Sequence, residues 1–134
     1  MKKSSAEIKE KYIEDLRSLQ DPSDVCDYLI ELGYEHPDRQ EIRSDKYRIP
    51  GCKSLIWCDI SRDEDRLDVK MDSDSLLIKG VLKILEDICD GQKADDIKEP
   101  LAFLEYIDTS VIYEEIRNNG LNTCYRRMIE IKGD

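Results

Sequence analysis

Cys52 stands directly after Pro50-Gly51 in the stretch RIPGCKSLIW, Arg48 to Trp57. Consecutive proline and glycine favour a turn, which takes the thiol out of periodic packing just where a strand-like run begins. The nucleophilic form of cysteine is the thiolate, and Lys46, Arg48 and Lys53 place positive charge near it in sequence. On the residues alone two readings of Cys52 stand. It is a reactive thiol on an exposed bend, or it merely begins a strand.

The other four cysteines read differently. Cys26, Cys89 and Cys124 fall within helical patterns, where a cysteine is usually a small buried hydrophobe. Cys58 alternates with Ile56 and Ile60 on the core side of a strand. Pairing of Cys52 with Cys58 is disfavoured: six extended residues span about 20 Å, whereas a disulfide needs α-carbons within about 7 Å. Five cysteines, an odd number, with no C-x-x-C, argue against both a disulfide framework and a zinc site. The single histidine, His36, has no partner at metal-ligand spacing, so no metal is expected.

The elements that must position Cys52 follow from periodicity and punctuation. A helix is predicted over residues 5–19, with Ser4 and Glu7 as a capping box and Ile8, Tyr12, Leu16 and Leu19 on one face. A second opens at Asp21-Pro22, carries Val25, Leu29 and Leu32 inward, and is expected to end at Gly33. Residues 34–53 are polar and irregular, with a short strand expected around Tyr47 and Ile49. SLIWCDIS and RLDVKMD then form an antiparallel hairpin turning at RDED. Leu67, Val69 and Met71 lie on its dry face and Arg66, Asp68 and Lys70 on the wet one. Asp72, Ser73 and Asp74 are expected to cap the strongest helix, whose stripe runs through Leu77, Val81, Leu85 and Ile88 to Gly91. The last third reads as short helices broken at Pro100 and Asn119-Gly120. The fold class is α+β: a small antiparallel sheet of about three strands packed against helices, in a single domain over residues 1–134.

Composition narrows the function. The 134 residues are 40% hydrophobic and 39% charged, with a formal net charge of −10. The isoelectric point near 4.7 makes phosphate-backbone binding an unsuitable main activity and favours a partner with a basic patch. No apolar stretch is long enough to span a membrane, and MKKSSAEIKEKY lacks the apolar core of a secretory signal, so a cytoplasmic location is expected.

Four elements in order carry a family resemblance. They are Tyr28 to Gly33 (YLIELG), Gly51-Cys52-Lys53-Ser54-Leu55-Ile56-Trp57, Asp72-Ser73-Asp74-Ser75 with Lys79-Gly80, and Arg117-Asn118-Asn119-Gly120-Leu121. Together they resemble the SufE family of sulfur-acceptor proteins, with its CsdE branch, over most of residues 25–130. His36-Pro37 departs from the family's Leu-Pro, and Lys53 stands where glutamine is common.

The resemblance implies a SufE/IscU-like fold and a persulfide relay. A pyridoxal-phosphate cysteine desulfurase of the SufS/CsdA type would hold sulfur as a persulfide. Cys52 would take that sulfur, stimulate the desulfurase by unloading it, and pass the cargo to an iron–sulfur scaffold or another acceptor. The chain itself would carry no cofactor and act as a sulfurtransferase-like carrier, not a stand-alone enzyme. Gly51 and Lys53 would form the loop environment, with Pro50-Gly51 as a hinge that swings the thiol out of an apolar cavity on docking. Arg117 matches the family's late arginine near the interface; read alone, it is a solvated charge at a helix end. Asp74 reads as a plain helix N-cap and, by the resemblance, as part of the surroundings of the Cys52 loop, two roles that can coexist. Two other classes are carried beside this one. An IscU-like iron–sulfur scaffold needs about three converging ligands, where only Cys52 is well placed. A thiol redox sensor needs a resolving cysteine.

Overall fold

The structure, a computed structural model, describes residues 3–19, 21–49 and 55–107 together with Thr123, Arg126 and Arg127. Helix α1 (Ser5–Arg17) starts where Ser4 Oγ accepts the Glu7 N–H at 3.1 Å, and it buries Ile13 and Leu16. Asp21 accepts the Ser23 N–H at the start of helix α2 (Pro22–Glu35), with Pro22 in the first turn, where a missing N–H is harmless. Strands β1 (Ile56–Asp63) and β2 (Arg66–Ser73) form an antiparallel hairpin, with Cys58 opposite Met71 and Trp57 opposite Asp72. Helix α3 (Leu76–Cys89) follows and packs against α2, β2 and α1. Short 3-10 turns lie at Gln40–Ile42, Ala94–Asp96 and Ala102–Tyr106.

The α+β architecture is as expected from sequence, with a two-stranded sheet among the described residues in place of about three strands. The third strand is reduced to one bridge. Arg48 pairs with Trp57, the Ile49 N–H donates to the Ile56 carbonyl (2.8 Å) and the Cys58 N–H to the Tyr47 carbonyl (2.9 Å). The hairpin turn is also tighter than RDED. Arg62 and Asp63 belong to β1, and Glu64 takes a left-handed φ of 59°.

Helix α2 does not end at Gly33. It runs two residues further, to Glu35, and Gly33 serves a different purpose. A Cβ at Gly33 would lie 3.1 Å from the Leu76 carbonyl carbon, and one at Gly80 would lie 2.7 Å from the Leu29 carbonyl carbon. The two glycines thus let the backbones of α2 and α3 approach more closely than any side chain permits. The helix stops instead at His36, which leaves helical geometry at ψ 130° just before Pro37.

The core lies between the inner sheet face and α3, where Val81, Leu82, Ile84, Leu85 and Ile88 are all fully buried. Cys58 and Cys89 are buried within it, as expected. Cys26 is only half-buried, because it sits beside the α2 stripe of Val25, Leu29 and Leu32, not in it. The open edge of β2 is largely covered. Leu67 exchanges backbone bonds with Gly91 and Gln92, Asp90 Oδ1 accepts the Val69 N–H, and Glu86 Oε1 accepts the Met71 N–H. His36 Nε2 completes the set by donating to the Met71 carbonyl at 2.7 Å. That cover pairs most of the strand groups that would otherwise template pairing with another chain.

Candidate functional site

Cys52, Gly51 and Lys53, and likewise Arg117 and Cys124, lie outside the described residues. What the structure describes is the pair of stems on either side of residues 50–54. The upstream stem is held by the bridge from Tyr47–Ile49 to β1, and Ile49 is buried. The downstream stem begins at Leu55. Its N–H donates to Asp74 Oδ1 at 2.9 Å, and its carbonyl accepts from Ser73 Oγ at 2.7 Å and from the Asp74 N–H at 3.3 Å.

Asp74 is therefore not the N-cap of α3. Ser75 fills that position, its Oγ accepting the Ile78 N–H at 3.3 Å. The local reason is geometric. After β2 the chain bends over Asp74 and Ser75, and it is Ser75, in the extended conformation (φ −99°, ψ 123°), that aims a side-chain oxygen at the first helical turn. Asp74 is left facing the neighbouring strand's start, where it clasps Leu55. Of the two sequence readings of Asp74, the N-cap one is overturned.

Beneath these stems lies a charged layer that the sequence does not reveal. Asp72, expected to help cap α3, does not do so: its side chain is fully buried and bonded elsewhere. It accepts from Arg43 Nε (2.8 Å), from the Arg39 N–H (2.9 Å) and from the Ser73 N–H (2.9 Å). Lys79 lies 3.7 Å away and is itself paired with Asp38. Burial pushes the Asp72 carboxyl up, but the Arg43 bond, the two backbone donors and the Arg43 charge outweigh it and hold it below the usual carboxylate range.

The Arg43 guanidinium also sits 5.0 Å from the centre of the ring of Trp57, the residue opposite Asp72 in the sheet register, and makes a cation–π contact there. Arg39 forms a two-pronged pair with Glu86 at 2.8 and 3.1 Å, next to the Glu86 bond to Met71. The strap of residues 36–43 is thereby fastened to both β2 and α3. In sequence these residues read as a polar, irregular stretch. The one available signal is an arginine four residues after another, with acids at 72 and 86 to receive them.

Arg127 completes the outer side, its Nη1 donating to the Cys58 carbonyl at 3.2 Å on the β1 edge that also pairs with Tyr47. Sequence singles out Arg117; Arg127 is a described basic residue whose side chain touches this edge. Among the described residues no three His, Cys, Asp or Glu side chains group as a metal site, and no helix is long and apolar enough to cross a membrane.

Known proteins share both the sequence pattern and the fold. The SufE family model, described as an Fe-S metabolism associated domain, matches residues 10–131. An uncharacterised SufE-like protein of Rhizobium meliloti is 27% identical over 124 residues, covering 87% of this chain and 88% of that protein. The chloroplastic SufE-like protein 2 of Arabidopsis thaliana is 32% identical over 87 residues, 63% of this chain and 34% of its own length. A solution structure of a hypothetical protein from Thermus thermophilus shares the fold. Its TM-score is 0.65 at 12% identity, over 94% of this chain and 91% of that one.

Proposed function

Because the chain belongs to the SufE family, whose domain is associated with iron–sulfur metabolism, we propose that it is a sulfur acceptor with Cys52 as the accepting thiol. The observation that carries this reading is the double anchorage around residues 50–54. Ile49 is tied to Ile56 on one side, and Leu55 is tied to Ser73 and Asp74 on the other. Five residues remain between two fixed stems, with Cys52 at their centre. Three extended residues span at most about 10 Å, so a thiol so tethered cannot search for its donor; the donor must dock against the stems.

The transfer is a thiol–persulfide exchange. The Cys52 thiolate attacks the outer sulfur of a persulfide on a pyridoxal-phosphate cysteine desulfurase. The donor's sulfur–sulfur bond breaks, the donor cysteine leaves as a thiolate, and a new sulfur–sulfur bond forms on Cys52. No net oxidation occurs, and the desulfurase is freed for another turnover. Passage of the sulfur to an iron–sulfur scaffold repeats the exchange with Cys52 as donor. Asp74 holds the downstream stem in register, and Arg117, Lys53 and Gly51 belong to the surface that meets the partner.

The test combines the full chain with a cognate desulfurase, pyridoxal phosphate and cysteine. Sulfide release rises over desulfurase alone, and intact mass gains one sulfur, localised to Cys52 by peptide mapping. Absence of stimulation, or undiminished stimulation by Cys52→Ser, refutes the reading.

A further inference from the structure

At the far end of α3 from Asp74, about fifteen helical residues or roughly 20 Å away, α1, α2 and α3 border an open cleft of about 500 Å³. That volume lies in the range of small-molecule sites. Helical spacing builds the walls. Ile8, Tyr12 and Asp15 recur along one face of α1, Tyr28 and Leu32 face them from α2, and Asp87 of α3 and Asp90 just past its end close the floor. Two tyrosine rings and two aliphatic side chains supply the apolar part of the lining, and Lys3, Lys11, Asp15, Asp87 and Asp90 supply its charged part.

Those polar groups are organised. Tyr12 donates its hydroxyl to Asp87, which also takes Lys83 Nζ at 2.7 Å, and Tyr28 donates to Asp15 at 3.0 Å. Burial and the adjoining carboxylates push both phenols well up, so they stay donors and the carboxylates stay oriented acceptors. Each carboxylate can accept about four hydrogen bonds, and the described bonds leave Asp15 and Asp87 with capacity in hand. Lys11, exposed at the rim one helical turn before Asp15, supplies the opposite charge. The cleft thus offers anionic acceptors and aromatic faces inside, and a cation at the mouth.

We propose that this cleft binds a small zwitterion bearing a primary ammonium and a carboxylate, the chemistry of a free α-amino acid. The ammonium donates to Asp15 and Asp87 against the tyrosine faces, and the carboxylate meets Lys11. The site is separate from the Cys52 region and does not depend on the sulfur-transfer reading.

The experiment titrates the full ¹⁵N-labelled chain with L-alanine and, as half-ligands, with methylammonium and with acetate. L-Alanine produces saturable amide shifts confined to the cleft segments of the three helices. Methylammonium binds several-fold more weakly, and acetate does not saturate. Asp15→Asn, which keeps an acceptor for Tyr28, raises the L-alanine Kd about tenfold, the effect of losing one charge-assisted bond. Lys11→Ala, at an exposed position, weakens L-alanine but leaves methylammonium unchanged. Non-saturating shifts, equal binding of methylammonium and L-alanine by the native chain, or unaltered L-alanine affinity in both variants overturns the proposal.

Discussion

Gly80→Ala tests the central packing claim, because two effects of known size oppose each other there. Alanine is the better helix former by about 1 kcal/mol, so propensity alone makes this substitution stabilising. The structure predicts the reverse. The added Cβ would stand 2.7 Å from the Leu29 carbonyl carbon and 3.1 Å from its Cα, and nearer still to the carbonyl oxygen. Comfortable carbon contacts begin at about 3.5 Å, so α2 and α3 must separate by about 1 Å at their crossing. The obstacle is helix backbone, which cannot swing away as a side chain would. Overpacking of this kind costs about 1–3 kcal/mol, and a rigid obstacle places it at the upper end.

After the propensity gain, a net loss of about 2 kcal/mol is expected, a fall in Tm of roughly 6–10 °C for a chain of this size. Guanidinium and thermal unfolding followed by far-ultraviolet circular dichroism measure it. Gly33→Ala, whose Cβ would meet the Leu76 backbone at the same crossing, behaves likewise. The double variant loses less than the sum, because one separation of the helices relieves both clashes. A Gly80→Ala protein as stable as the parent, or more so, refutes the reasoning, since propensity would then be acting unopposed.

Other expectations concern the charged layer and the stems. Arg39→Met removes one partner of a largely buried pair and leaves Glu86 uncompensated, a loss of about 3 kcal/mol in denaturant unfolding. The Asp72 carboxyl titrates lower in the folded chain than the ordinary aspartate value of 3.8, so its stabilisation is complete above that value. It drains away as pH falls through the lower folded pKa. Unfolding midpoints measured across the acid range should fall in that window, and Asp72→Asn should shallow the slope while lowering stability at neutral pH. Asp74→Ala removes the acceptor for the Leu55 N–H at an exposed position; stability changes little, while sulfur loading of Cys52 by a desulfurase slows several-fold in a mass-spectrometric time course.

Local signals in the chain were enough for its local structure. Ser4, Asp21 and Pro22 announced two helix starts, strict alternation from Leu67 to Met71 announced a strand, and the apolar stripe after Ser75 announced α3. These features depend on hydrogen bonds and side-chain directions set within a few residues, so a linear reading reaches them. The motif around Cys52 likewise identified the family, because four short elements in fixed order rarely coincide by chance.

What the chain's own order could not reveal were pairings across long separations. Gly33 resembled a helix terminator until Leu76 was placed against it. Asp74 resembled a cap until Leu55 was found on its side chain. Residues 36–43 read as an irregular polar stretch until Arg39 met Glu86 and Arg43 met Asp72, at separations of 47 and 29 positions. Asp72 resembled a helix cap until Arg43 and the Arg39 N–H were found on its buried carboxylate. Helices, hairpin and family were thus written in the linear order of residues. Which charges are buried, and which glycine touches which backbone, emerged only on packing, because burial and contact belong to the folded chain as a whole and not to any segment within it.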